Sequence, residues 1–208
     1  QKVCTLRGHT GAITGIVVTP DARQIVSASA DQTLKLWDLT TGQEHCTLGR
    51  HRSIITALIV TADGKHVVSG SGDRTIKVWD LTTGQEVRTL KGHEKWITAL
   101  AITSDGKWIV SASGDTTLKV WDLLTGQEVR TLRGNGDVAR AVVMTPDERT
   151  LVLASRDKLT ALRLESGEHI ASFVGDSRFE CVALSRYGAI CVAGDAQGKL
   201  HLLRLEGF

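Results

Sequence analysis

Apolar and polar positions alternate in short runs along the chain, with no recurrence at the 3.6-residue spacing of an amphipathic helix. Residues 85–126 show the pattern most fully. Residues 87–90, Val-Arg-Thr-Leu, predict a short strand. Residues 97–102, Ile-Thr-Ala-Leu-Ala-Ile, are β-branched and apolar and predict a buried strand. Thr103-Ser104-Asp105-Gly106-Lys107 is a turn, with Gly where a positive φ is needed. Residues 108–112 predict a third strand, and Gly114-Asp115-Thr116-Thr117 a second tight turn. Residues 118–122, Leu-Lys-Val-Trp-Asp, alternate as a half-exposed strand does. Leu124-Thr125-Gly126 then leads into the next such unit. The expectation is four antiparallel strands per unit in an all-β chain.

The unit recurs with a period of 42. Trp37-Asp38, Trp79-Asp80 and Trp121-Asp122 keep that spacing, as do Asp31, Asp73 and Asp115. His9, His51 and His93 follow it, and so do Gly42, Gly84 and Gly126. Five units fit in one domain spanning residues 1–208, at about 6–47, 48–89, 90–131, 132–172 and 173–208, with residues 1–5 as an extra outer strand. A lone four-stranded unit leaves an apolar face and two edges uncovered. Stacking units around an axis covers them, which is a β-propeller.

These residues resemble the WD40-repeat family over essentially the whole chain. In that family a hydrogen-bonded set holds each blade, linking a His, a Ser or Thr, a turn Asp and the Trp. The resemblance places the set on His9, Ser27, Asp31 and Trp37; on His51, Ser69, Asp73 and Trp79; and on His93, Ser111, Asp115 and Trp121. The last two units depart from it. Asn135 stands for the His and Leu162 for the Trp in the fourth; Asp176, Gln197 and Leu203 replace His, Asp and Trp in the fifth. Buried polar sets help only when every member is satisfied, so blades four and five are expected to be the less rigid. The chain begins in the phase of an outermost strand and ends in that of a third strand. Its first residues are therefore expected to complete the last blade, in a closed five-bladed ring or in a segment of a larger propeller. Residues 192–205 also resemble, more distantly, the C-terminal blades of bacterial STAND-type signalling ATPases with NB-ARC or NACHT domains.

Composition narrows the function. The formal charge is +2, which argues against a dedicated nucleic-acid or anionic-membrane binder. No apolar run approaches the ~20 residues of a membrane helix. Cys4, Cys46, Cys181 and Cys191 form no C-x-x-C pair and are read as reduced thiols of a cytoplasmic protein. His9, Ser27 and Asp31 are the residue types of a hydrolase triad. The set occurs three times, each tied to a Trp, with no G-x-S-x-G elbow, so it is read as a staple and the chain as no enzyme. The seven histidines show no metal-ligand spacing. The Gly-rich segments at Gly70 to Asp73 and Ser113 to Asp115 lack the Lys and helix of a phosphate loop. No cofactor is expected.

Partner binding remains. In the resembled family the narrow face around the central channel is the usual docking surface. The resemblance puts there the third and fifth residues after each His position: Ala12 and Thr14, Ile54 and Thr56, Trp96 and Thr98, Val138 and Arg140, Phe179 and Cys181. Ala30, Gly72 and Gly114, each preceding a turn position, join them. Trp is a frequent hot-spot residue, and an apolar rim suits a protein or peptide. That partner is a separate protein, a second copy, or another domain of a larger signalling parent. Arg140 suits an acidic or phosphorylated group. Lys35, Lys77 and Lys119 read as a solvated face. Glu180 falls where Ile13, Ile55 and Ile97 stand, a carboxylate the pattern leaves unexplained.

Overall fold

The computed structural model describes residues 4–134, 136–188 and 190–205. These form nineteen strands and no helix, so no helix is long and apolar enough to cross a membrane. The first sheet holds β1 (Ile13–Val18), β2 (Gln24–Ser29), β3 (Thr33–Asp38) and β4 (Gln43–Arg50). The second holds β5 (Ile55–Val60), β6 (His66–Ser71), β7 (Thr75–Asp80) and β8 (Gln85–Lys91). The third holds β9 (Ile97–Ile102), β10 (Trp108–Ser113), β11 (Thr117–Asp122) and β12 (Glu128–Arg133). The fourth holds β13 (Ala139–Met144), β14 (Thr150–Ser155), β15 (Lys158–Arg163) and β16 (His169–Val174). The fifth holds β17 (Phe179–Leu184), β18 (Ile190–Asp195) and β19 (Leu200–Arg204). Strands pair antiparallel in chain order within each sheet. This is the all-β, blade-by-blade architecture of a β-propeller.

Local chemistry sets the turns. Thr19, Thr61, Thr103 and Thr145 each donate a hydroxyl to the Asp two residues on, at 2.6 Å, closing the hairpin after the first strand of sheets one to four. Gly42, Gly84 and Gly126 sit at φ near +70° between the third and fourth strands, a region side chains disfavour.

The inner strands run side by side, β1 against β5, β5 against β9, β9 against β13 and β13 against β17. Between neighbouring sheets lies an apolar layer. Val68, Ile76 and Val78 of the second sheet, for example, pack on Ile97, Leu100, Ile109 and Trp121 of the third. A Cβ on Gly70 would lie 2.5 Å from Ile97 Cγ2, so that Gly admits the Ile.

The N-terminal expectation rests on residues 1–5, of which residues 1–3 lie outside the described residues. Cys4 and Thr5 form no strand and leave the fifth sheet three-stranded among the described residues. Cys4 lies against Gly42 of the first sheet as Cys46 of the outer strand β4 lies against Gly84 of the second, the place of an outermost strand of a preceding sheet.

Candidate interaction surface

The three polar sets come together with nearly identical geometry. His9 Nδ1 is 2.9 Å from Asp31 Oδ2, and its Nε2 is 2.8 Å from Ser27 Oγ. Trp37 Nε1 donates to the same Ser27 oxygen at 2.7 Å. In the second set His51 reaches Asp73 at 3.0 Å and Ser69 at 2.8 Å, and Trp79 donates to Ser69 at 2.8 Å. In the third, His93 reaches Asp115 and Ser111 at 2.8 Å each, and Trp121 donates to Ser111 at 2.8 Å. An indole N–H can only donate. Ser Oγ therefore accepts from Trp and turns its own proton to His Nε2, which leaves Nδ1–H to donate to Asp.

Each Asp takes more than its His. Asp73 also accepts the Thr75 hydroxyl at 2.6 Å and the amides of Arg52 and Thr75 at 2.8 and 3.0 Å. Asp31 and Asp115 repeat this with Thr33 and Thr117. Burial works to raise the Asp73 carboxyl, but the hydrogen bonds led by Thr75 outweigh it, and its pKa lies below the usual carboxylate range. Burial pushes the pKa of His51 and His93 down despite their Asp partners. Both rings are thus held neutral, consistent with the donor order above.

The same polarity runs Ser to His to Asp in a hydrolase triad. Here Ser69 and Ser111 are wholly buried and Ser27 nearly so, each beneath its Trp. A substrate cannot reach these oxygens, and each Ser oxygen is held by its Trp N–H.

Beside each Trp the lysines form ion pairs rather than a solvated face. Lys35 meets Glu44 at 2.6 Å and Lys119 meets Glu128 at 2.8 Å, with Lys77 paired likewise to Glu86. Their side chains are largely buried.

The rim lies at the start of the inner strands. Ile54 and Trp96 are half-exposed, and Val138 is less so. The indole of Trp96 lies on Gly114, where a Cβ would come within 2.6 Å of Cε2, and its carbonyl accepts the Gly114 amide at 2.9 Å. One face of the ring covers its own blade while 49% of the residue stays open.

The threonines behave otherwise than expected. Thr56 donates to the Ile97 carbonyl and Thr98 to the Ala139 carbonyl, each at 2.6 Å. They are struts between sheets rather than free groups facing a partner. Thr14 is exposed in the equivalent place.

Phe179 requires correction. It is wholly buried, with its ring 5.1 Å from that of His201 and 6.2 Å from that of Phe173, and it offers no surface to a partner. Phe179 pairs with Asp195 as Ile97 pairs with Ser113, so it takes the buried Ile position. Arg178 therefore stands where Trp96 does, and Glu180 where Thr98 and Arg140 do. The carboxylate that the pattern left unexplained is a rim residue. Its Oε2 is 3.4 Å from Arg140 Nη1 and its Oε1 is 2.6 Å from Arg178 Nη2. The Arg140–Glu180 pair replaces the threonine strut between sheets four and five.

Blade five carries a substitute for the missing set. Asp195, its side chain inaccessible, accepts the amides of Gln197 and Lys199 at 2.9 Å each and meets His201 at 3.1 Å. His201 in turn meets the Phe179 ring edge to face. Leu162 and Leu203 fill the Trp positions of blades four and five with apolar side chains, Leu162 wholly buried. Asn135 lies outside the described residues.

Trp96, Val138, Arg140, Arg156 and Arg178 line one cleft where sheets three, four and five meet. Arg156 pairs with Asp137 at 3.1 Å. Three guanidinium groups against the carboxylates of Glu180 and Asp137 leave the cleft one positive charge in excess.

Repeating sheets, the interleaved apolar layers and the His–Ser–Asp–Trp sets together define a WD-repeat β-propeller. The chain belongs to that family: the model for "WD domain, G-beta repeat" matches residues 1–38, 42–80 and 84–122, more than half its length. One similar protein is eukaryotic translation initiation factor 3 subunit I of Xenopus tropicalis, 41% identical over 44 residues, which are 21% of this chain and 14% of that protein. Another is WD repeat-containing protein 1 of Gallus gallus, 48% identical over 42 residues, which are 19% of this chain and 7% of that protein. Each match spans about one repeat and a small part of its relative.

Proposed function

We propose that this chain is a non-catalytic recognition platform whose protein or peptide partner docks on the narrow face, centred on Trp96. The half-open indole above the arginine-lined cleft is the observation that carries the reading. An aromatic flanked by guanidinium groups is the usual composition of a hot spot. The excess positive charge favours a segment that places an apolar side chain on Trp96 and an acidic or phosphorylated group near Arg140 and Arg178. WD-repeat proteins generally serve as protein-interaction scaffolds, which supports the same reading. The proposal extends to the setting, a module of a cytoplasmic signalling protein, on the resemblance of the last blade to sensor propellers.

Trp96→Ala tests it. The tagged chain and the variant are compared by quantitative affinity capture from extract, alongside thermal unfolding. The expectation is a binding loss of about 2 kcal/mol, roughly thirtyfold, with little change in melting temperature, because half of the ring is already solvated. Undiminished capture by both Trp96→Ala and Arg140→Glu, with the fold intact, overturns it.

A further inference from the structure

Three rim positions recur along the chain. In sheets one to three they hold Ala12, Ile54 and Trp96 before the first residue of the inner strand, Thr14, Thr56 and Thr98 after it, and Ala30, Gly72 and Gly114 beyond the second strand. In sheets four and five the same positions hold Arg178, Arg140 and Arg156 in turn. Three guanidinium groups thus enter the cleft beside Trp96. Arg140 and Arg156 extend from sheet four, which packs between sheets three and five, so the cleft is internal to the array.

The carboxylate among them is held unequally. Arg178 Nε and Nη2 donate to Glu180 Oε1 at 2.7 and 2.6 Å. Arg140 Nη1 lies 3.4 Å from Glu180 Oε2, the loose limb of the arrangement. The side chains of Arg140 and Glu180 are 45% and 38% exposed, so a group arriving from solvent meets both. Arg156, more open still, gives its Nε to Asp137 at 3.1 Å. Arg140 and Arg178 carry two positive charges, and Glu180 cancels one of them.

We infer that Glu180 is an internal competitor for this cleft, and that the partner's group which displaces it is a phosphorylated side chain. The inference rests on the narrow-face reading for its location and narrows the acidic group named there. A partner carboxylate would replace Glu180 like for like. Glu180 is tethered beside the two guanidinium groups at high effective concentration, so that exchange favours the tethered group. A phosphorylated Ser or Thr brings about −1.5 to −2 charges at neutral pH and three acceptor oxygens. It matches the two positive charges of Arg140 and Arg178, takes paired N–H donors from them, and leaves Glu180 to turn to water. A nucleic-acid phosphodiester carries one negative charge per phosphate and gains no more than a carboxylate does.

Peptide libraries with a fixed central phosphothreonine, phosphoserine, Glu or Thr and degenerate flanks test this, with a single-stranded oligonucleotide as a further arm. The full chain is titrated against each by fluorescence anisotropy, and thermal unfolding checks that each variant is folded. The expected result is saturable binding to the two phosphorylated libraries alone, lost in Arg140→Gln and in Arg178→Gln. Glu180→Gln keeps the shape of the side chain and removes the competitor, with Glu180→Ala as a second variant. Either should bind the phosphorylated libraries roughly fivefold more tightly and bring the Glu library into the measurable range. Glu168→Gln, which removes an equal charge beside Arg163 and outside the cleft, should change neither. A strut with no competing role predicts weaker or unchanged binding in the Glu180 variants, and that result overturns the inference. So does equal binding of the Glu and phosphorylated libraries by the wild-type chain, or binding of the oligonucleotide in their place. No binding to any library overturns it as well, and leaves the narrow-face reading standing if capture from extract still depends on Trp96.

Discussion

Ser69 accepts one proton and gives one, and that arrangement fixes the ionisation of the residues around it. With Trp79 donating to its oxygen, Ser69 turns its hydroxyl to His51, and His51 stays neutral while donating to an ionised Asp73. The pH dependence of stability follows. His51 and His93 have folded pKa values pushed below the histidine norm of about 6.5. The unfolded chain therefore binds protons there that the folded chain refuses, and stability falls as pH drops below about 6.5. Asp31, Asp73 and Asp115 are also lowered. Their contribution is complete above the unfolded carboxylate value near 4 and is lost as pH falls further. Calorimetric melting temperatures should be flat from pH 8 to about 7, fall below about 6.5, and fall more steeply below about 4. A melting temperature that holds or rises down to about pH 5 would contradict the neutral-histidine assignment.

Much of this was legible at the residue scale because periodicity repeats the evidence three times. The His, Asp and Trp of each set recur at 42, and the resemblance to the WD40-repeat family joined each Ser to them as one hydrogen-bonded set. Thr33, Thr75 and Thr117 carry the same period and were available to the same reasoning. Only Thr117 is singled out by the sequence, as part of a turn, because a Thr in a turn has a local explanation. Their hydroxyls at 2.6 Å on the Asp show the larger role.

At the scale of the sheet, legibility ends where the anchors are lost. From Ala139 to Phe179 the equivalent spacing is 40, not 42. One residue is missing at the two-residue turn between Ser155 and Lys158, where the other sheets have a longer connection. Another is missing in the loop before β17, where the His would stand. Counting forward from Asp176 therefore put Phe179 on the rim and Glu180 in the core, the reverse of what packing requires. A wholly apolar ring belongs inside, and a carboxylate between two arginines belongs outside. Packing between sheets is similarly exacting. A Cβ on Gly70 would lie 2.5 Å from Ile97 Cγ2 and 2.9 Å from its Cβ, so Gly70→Ala is expected to cost about 1–3 kcal/mol in urea unfolding. Combining it with Ile97→Ala, which removes the Cγ2 methyl nearest the added Cβ, should relieve part of that cost, giving a non-additive cycle. Strict additivity would place the strain elsewhere.

For the whole molecule, two classes of residue have two jobs. The polar sets and the apolar layers hold the sheets in place, while recognition is proposed to lie on the narrow face at Trp96. The first of these carries the second, since a rim is only as well defined as the blades beneath it. Blades one to three have complete sets. Blade four replaces its set with apolar side chains such as Leu153 and Leu162, and blade five relies on Asp195, His201 and Phe179. Apolar replacement can be nearly neutral in total stability, so the difference should emerge as local opening. Amide hydrogen exchange along the whole chain measures that opening strand by strand. The account predicts the slowest exchange in β2, β3, β6, β7, β10 and β11, and faster exchange in β14, β15, β18 and β19. Equal protection across all five sheets, or slower exchange in the fourth and fifth, would contradict it.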